Sequence, residues 1–310
     1  MDPRKPLDAK ATSLMLVLCG VWALQQVLLK ATAQEMPPVW QIALRSGAAA
    51  LLVALLMAAR GTPIGGGDGS WRAGLVAGLL FGLEFLLVGE SLRLTSAAHV
   101  VVFLYTAPIF AALGLHWRLP SERLAGLQWL GIALAFAGIV LAFVGGSPAP
   151  AATGVSAGGD LLALLAGLSW GATTVVVRCT RLAVAPATRT LLYQLAVGAL
   201  VLGGFSLASG QTRMNATPLM WANLVFQVLV VAFASFLAWF WLLRKYLASR
   251  LGVFTFLTPL LGVVLSAWLL GEAIEPRFVL AAVLVLLGIV LVSGYGWVAQ
   301  RIEHFRSKPR

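Results

Sequence analysis

Apolar positions along this chain come neither in the alternation of a half-buried strand nor in the one-sided stripe of a surface helix, but in long runs. A helix that crosses a hydrocarbon core needs about 20 such residues, and runs of that length recur ten times. Read with their Gly/Pro punctuation and end signals, they predict helices over 12–33, 38–59, 71–92, 96–117 and 124–144, then over 158–179, 188–207, 218–243, 249–270 and 278–297. Segment 61–70 is glycine-rich, 145–157 is rich in Gly, Ala, Pro and Ser, and the other connections are tight turns. The first run ends in Ala31-Thr32-Ala33, which resembles a signal-peptide cleavage site. Its apolar stretch is longer than the usual signal core, and it has a mid-chain counterpart, so it is expected to stay as a helix.

That counterpart belongs to an internal repeat. GVWALQQVLLK (Gly20–Lys30) aligns with LSWGATTVVVR (Leu168–Arg178) at an offset of 148, matching Trp22 with Trp170 and Lys30 with Arg178. VFLYTAPIFAALG (Val102–Gly114) aligns with VFTFLTPLLGVVL (Val253–Leu265) at an offset of 151, matching Pro108 with Pro259. GIVLAFVGG (Gly138–Gly146) aligns with GIVLVSGYG (Gly288–Gly296). Five spans per half is an odd number, so the second half must enter the bilayer upside down. Inverted repeats with a site at their interface are a transporter architecture. The expected fold is an all-α polytopic membrane protein with ten transmembrane helices in two inverted five-helix repeats around a central cavity. Residues 1–11 form an N-terminal tail, 12–144 the first repeat, 145–157 an external linker, 158–297 the second repeat and 298–310 a basic C-terminal tail.

Composition agrees with a lipid solvent. Of 310 residues, 60% are apolar and 11% charged, against about 25% charged in a soluble domain. Mean hydropathy is +0.93. Too little polar surface remains to coat a soluble globule, and disorder needs the opposite composition. The net charge of +11 would raise nucleic acid as a partner in a soluble protein, but its distribution points to the membrane. With a cytoplasmic N-terminus, the inner segments hold Arg4, Lys5, Lys10, Arg60, Arg72, Arg118, Arg123, Arg178, Arg181, Arg189, Arg244, Lys245, Arg250, Arg301, Arg306, Lys308 and Arg310. The outer side holds Lys30, Arg93, Arg213 and Arg277, and Arg45 lies inside a span. This is the positive-inside pattern of a multi-pass membrane protein with both termini cytoplasmic. Cys19 and Cys179 lie in apolar stretches without zinc spacing and are expected to be buried thiols.

Trp22 with Lys30, the stretch Gly82–Leu113 and the stretch Phe233–Glu272 resemble the drug/metabolite transporter superfamily, and within it the bacterial EamA-type repeat, over nearly the whole chain. The resemblance implies two inverted bundles around a central cavity and movement of small metabolites without ATP. The amino-acid and aromatic amino-acid exporters of the YddG type are the branch it is most similar to.

The residues themselves single out a set of polar groups that the membrane has to tolerate, each a candidate for function by that cost alone. Trp22, Gln26 and Lys30 form one stripe, and Trp170, Thr174 and Arg178 another. The two Trp either line the cavity or pack, and the two cations either serve the site or snorkel to the interface. Gly74, Gly78 and Gly82 make a smooth face for helix contact. Glu84 is about 200° around from Gly82, which leaves it the cavity or a salt-bridge partner. Arg45 lies at a matching depth of about 10–12 Å, so an Arg45–Glu84 ion pair is expected, either structural or as a gating or substrate contact.

Pro108 and Pro259 lie mid-span in matching helices, as static kinks or as hinges for alternating access. His99, Phe103 and Tyr105 are further candidates for the cavity wall. His99 is either a carrier for a coupling proton or a satisfied helix-end group. Asn223 and Gln227 share a face, with Trp239 beyond them, and suit an amphipathic ligand or interhelical hydrogen bonds equally. No phosphate-binding loop, dinucleotide fingerprint or metal pair is found, so neither a cofactor, a metal, catalytic residues nor an ATP-binding subunit is expected. The expected partners are a small-molecule substrate, the lipid bilayer and a candidate coupling proton. The reading is a secondary transporter, not an enzyme, exporting amino acids with apolar or aromatic side chains. The alternatives are a drug, nucleotide-sugar or phosphate-ester carrier, or an intramembrane enzyme using Glu84 and His99.

Overall fold

The computed structural model describes residues 7–64, 69–95, 97–143, 156–270 and 276–306. The first half holds α1 (Ala9–Ala31), α2 (Pro38–Ala59), α3 (Ser70–Leu94), α4 (Ala97–Leu104), α5 (Ala107–Arg118) and α6 (Gly126–Phe143). The second holds α7 (Ala157–Cys179), α8 (Ala187–Ala208), α9 (Pro218–Phe226), a π-helical segment (Gln227–Ser235), α10 (Phe236–Lys245), α11 (Ala248–Phe254), α12 (Leu257–Leu270) and α13 (Arg277–Arg306). Eight of the resulting rods are long and apolar enough to cross a membrane, and the shorter apolar helices Gly126–Ala142 and Arg277–Val292 complete ten. Below, the side of the bundle carrying the start of α1 is the N face, and the other side is the far face.

Glycine decides how the rods assemble, because it lets backbones approach where burial of apolar side chains gives no advantage over lipid. A Cβ on Gly74, Gly78 or Gly82 of α3 would fall within 2.3–2.9 Å of Tyr193, Val197 or Val201 of α8, so the glycine face is a helix–helix contact as expected. Between α6 and α13 the atoms nearest the glycines are backbone rather than side chain. A Cβ on Gly288 would lie 2.3 Å from the Gly131 carbonyl oxygen, and one on Gly138 would lie 2.7 Å from that of Ala281. In the repeat alignment Gly138 matches Gly288 and Gly131 matches Ala281, so these are one contact seen from either half. That places a pseudo-two-fold axis between α6 and α13, as inverted repeats require.

Three features depart from the sequence expectation. The proline spans are broken rather than kinked, with turns at Tyr105–Thr106 and Thr255–Phe256. Thr106 Oγ1 donates to the Phe103 carbonyl at 2.5 Å and Thr255 Oγ1 to that of Gly252 at 2.6 Å, the same local solution in both repeats. The α7 backbone is pressed onto the first break, where a Cβ on Gly167 would meet the Phe103 and Leu104 oxygens at 2.8 and 2.9 Å. The eighth span contains the π-helical segment, which no residue type announces. The last helix runs past 297 to Arg306, since no Gly or Pro lies between Gly296 and Arg306.

Candidate functional site

Arg45 of α2 sits at the centre with no exposed surface. Its Nη1 donates to Gln25 Oε1 at 2.8 Å and to Gln227 Oε1 at 2.7 Å. The faces of Phe85 and Phe236 lie 5.2 and 5.9 Å from the guanidinium carbon, cation–π contacts of the kind that suit a weakly hydrated, planar cation. Nε and Nη2 have no hydrogen-bond partner.

Gln227 opens the π-helical segment, a geometry that often marks functional positions. Its Nε2 donates to the Gln25 carbonyl and to Asn223 Oδ1, both at 3.3 Å. Asn223 Nδ2 donates in turn to Thr32 Oγ1 and Gln41 Oε1 at 2.8 and 2.9 Å. The amides of Asn223 and Gln227 therefore hold α1, α2 and the eighth span together and fix Arg45. Both are buried, at 2% and 0% exposure, and their hydrogen bonds run between helices.

Glu84 of α3 is within electrostatic reach of Arg45 and of Tyr105. No ion pair within 4.0 Å joins it to Arg45, so the two expected partners share a neighbourhood without touching. Glu84 keeps accessible surface.

Beyond Phe85 and Phe236, two further aromatic contacts join the repeats. Trp22 Nε1 donates to Ser235 Oγ at 3.0 Å, at the other end of the π-helical segment, and its ring meets Trp239 edge-on at 5.7 Å. Trp170 meets Tyr105 edge-on at 5.7 Å, and Gln26 Nε2 donates to the Tyr105 hydroxyl at 3.4 Å. Trp22, Gln26, Phe103, Trp170 and Trp239 are half-buried. The partners of Trp22, Gln26, Trp170 and Trp239 lie on sequence-distant helices. Thr174 is turned back on its own helix, donating to the Trp170 carbonyl at 3.4 Å. Pro108 and Pro259 are buried just beyond the two breaks.

His99 lies apart, at the far face. Its Nδ1 is 3.1 Å from both carboxylate oxygens of Asp160, which also accepts from Thr95 Oγ1 at 2.8 Å. The histidine is thus paired with an acid near the end of its helix. Asp160 was not foreseen, although an acid in the first turn of a helix is favoured by the helix dipole.

At the N face the structure brings together a cluster that the sequence did not single out. Glu122, in a 3₁₀ turn after α5, is fully buried. It accepts from Arg178 Nε at 2.9 Å and also from Arg178 Nη2. It further accepts from the backbone N–H groups of Ala248 and Ser249 at 3.0 Å each and from Ser249 Oγ at 2.7 Å, capping the start of α11. Arg178 does not snorkel; it is 3% exposed and paired, whereas Lys30 at the matching position is exposed. Nearby, the Tyr246 hydroxyl donates to Asp8 Oδ2 at 2.8 Å, and desolvation, then that bond and the carboxylate charge, raise its pKa. Cys19 is buried as expected, but Cys179, at the end of α7 in this region, is exposed.

The two faces are not equivalent. By the repeat, α4 corresponds to α11 and α5 to α12. At the N face α5 packs against α11, whereas among the described residues no comparable interface joins α4 to α12 at the far face. The half-helices at the N face are thus packed on each other more extensively than those at the far face. Among the described residues no group of three His, Cys, Asp or Glu side chains could hold a metal ion.

Comparison with known proteins agrees with this architecture. The chain is 32% identical over 281 residues to an uncharacterized protein, PA1977, of Pseudomonas aeruginosa, covering 90% of this chain and 91% of that one. It is 26% identical over 297 residues to the uncharacterized transporter YvbV of Bacillus subtilis, covering 93% of each, and 27% identical over 255 residues to YyaM of the same organism, covering 73% of this chain and 83% of that one. A crystal structure superposes with a TM-score of 0.78 at 22% identity, covering 96% of this chain and all of the other, a likeness of fold. The model of the EamA-like transporter family matches residues 9–144 and again 157–294, one match for each inverted half, and the chain belongs to that family.

Proposed function

We propose that this membrane transporter exports amino acids with apolar or aromatic side chains across the bacterial cytoplasmic membrane by alternating access. The observation that carries the substrate class is the central cluster: an acid and a guanidinium without a direct ion pair, Phe85 against the guanidinium, Tyr105 near the acid, and the Trp22–Trp239 and Tyr105–Trp170 contacts joining the two repeats. Its polar end suits the charged groups of a small zwitterion, and its aromatic walls suit an apolar side chain. Alternating access is supported by the unequal packing of the two broken helices. A pseudo-symmetric carrier closed at one face reaches its mirror state by exchanging which pair of half-helices is packed. The less packed half-helices α4 and α12 lie at the far face, which the positive-inside pattern makes the external one.

Purified protein in liposomes loaded with labelled phenylalanine or leucine is expected to release label faster than protein-free liposomes. Unlabelled amino acid on the opposite side should accelerate release. Release of nucleotide sugars or cationic dyes with no release of amino acids would overturn the substrate class.

The chain's two cysteines test the orientation without substitution. A membrane-impermeant maleimide is expected to label Cys179 in inside-out vesicles and not in right-side-out ones, with Cys19 protected in both. Labelling from the external side would reverse the assignment of the termini.

A further inference from the structure

The central ionic groups are arranged unlike a structural salt bridge. Glu84 makes no ion pair with Arg45 within 4.0 Å, although opposite charges in a low-dielectric interior gain by closing on each other. Arg45, with no exposed surface, commits Nη1 to two glutamine oxygens, one from each repeat, and leaves Nε and Nη2 without an acceptor. Nε and Nη2 lie along one edge of the guanidinium, the fork that grips a carboxylate through two parallel hydrogen bonds. Buried donors left empty carry a cost, and here the network Gln25–Gln227–Asn223 enforces it by pinning the opposite edge.

The geometry points to a site that reads both ends of a free α-amino acid: the substrate carboxylate binds the Nε/Nη2 edge of Arg45 and the substrate ammonium binds Glu84. This rests on the amino-acid reading above and assigns its ends. The rings of Phe85 and Phe236, which lie over the guanidinium, move aside to admit the carboxylate. The side chain then extends toward Trp22, Trp170 and Trp239. Because two separate charges must be met at once, a ligand lacking either end leaves one of them unpaired in the interior.

The test uses the full-length protein in detergent and calorimetric binding of three probes: phenylalanine, phenethylamine (no carboxylate) and 3-phenylpropionate (no ammonium). Wild type is expected to bind phenylalanine at least about tenfold more tightly than either analogue, the order of one charge-assisted hydrogen-bond pair. Arg45→Lys keeps the charge and removes the fork; it should weaken phenylalanine and phenylpropionate and leave phenethylamine unchanged. Glu84→Gln should weaken phenylalanine and phenethylamine and leave phenylpropionate unchanged. Glu84 makes no hydrogen bond that folding depends on, so its variant keeps the test usable if the Arg45 variant does not fold.

Equal weakening of all three probes by both substitutions, or wild-type binding of phenethylamine as tight as that of phenylalanine, overturns the assignment while leaving amino-acid transport standing. Wild type that binds no amino acid overturns both.

Discussion

Glu122→Gln is expected to destabilise the folded protein by about 3–5 kcal/mol, the usual cost of removing one partner from a buried charge pair. The substitution preserves volume, so packing is not what changes. It removes the negative charge facing Arg178 and replaces one acceptor oxygen with an NH₂ group. That group is then aimed at donors, since every contact of the Glu122 carboxylate is with an N–H or O–H group. Unfolding in mixed micelles, followed by tryptophan fluorescence, measures the loss. The double variant Glu122→Gln, Arg178→Gln should recover part of it, because the orphaned cation is removed as well. A double variant as unstable as the sum of the two single ones would show that the pair is not coupled.

The same substitution should loosen the N face, because Glu122 ties the turn after α5 to the end of α7 and the start of α11. Faster labelling of a cysteine placed at Ser249 would report that loosening.

The second large effect concerns Gly288. Alanine there would place its Cβ 2.3 Å from the Gly131 carbonyl oxygen and 2.7 Å from both the Ala135 amide nitrogen and Cβ. Two of those three neighbours are backbone, which cannot rotate away as a flexible side chain would. Ordinary overpacking costs about 1–3 kcal/mol, and this case should meet or exceed the upper end. Gly288→Ala is expected to lower the thermal midpoint sharply and reduce the yield of monodisperse protein, and Gly288→Leu to abolish it. Gly262→Ala is the control: no atom lies within 4 Å of its Cβ, so a change within about 0.5 kcal/mol is expected. Equal behaviour of the two alanine variants would mean that the α6–α13 contact does not carry the assembly.

The spans could be read from the sequence because the bilayer sets their length and leaves the backbone no alternative to helix. The glycine face of α3 followed from its spacing alone. Trp22 and Trp170 could be placed because the repeat marks them twice. What could not be read depends on partners distant in sequence. Nothing near Asn223 or Gln227 says that their amides are directed at α1 and α2, so a ligand-binding face and a structural network look identical in one chain. Glu122 sits in a short polar turn of the kind that is ordinarily solvated. Its burial comes from α7 and α11, which lie 56 and 126 residues away. For Arg45 and Glu84, a matching depth along two helices does not fix the distance between the side chains.

The wide turns of the eighth span bear on how the two halves came to differ. The α3 helix has 25 residues, whereas its counterpart Pro218–Lys245 has 28. The repeat offset rises from 148 before that span to 151 after it. The three surplus residues are therefore absorbed inside the rod, where looser winding takes up extra chain, and the loops on either side keep their register. A duplicated ancestor lengthened in this one place would remain foldable while its second copy shed strict equivalence with the first. The two halves then face the centre with different groups, Gln227 and Asn223 in the second and Glu84 in the first.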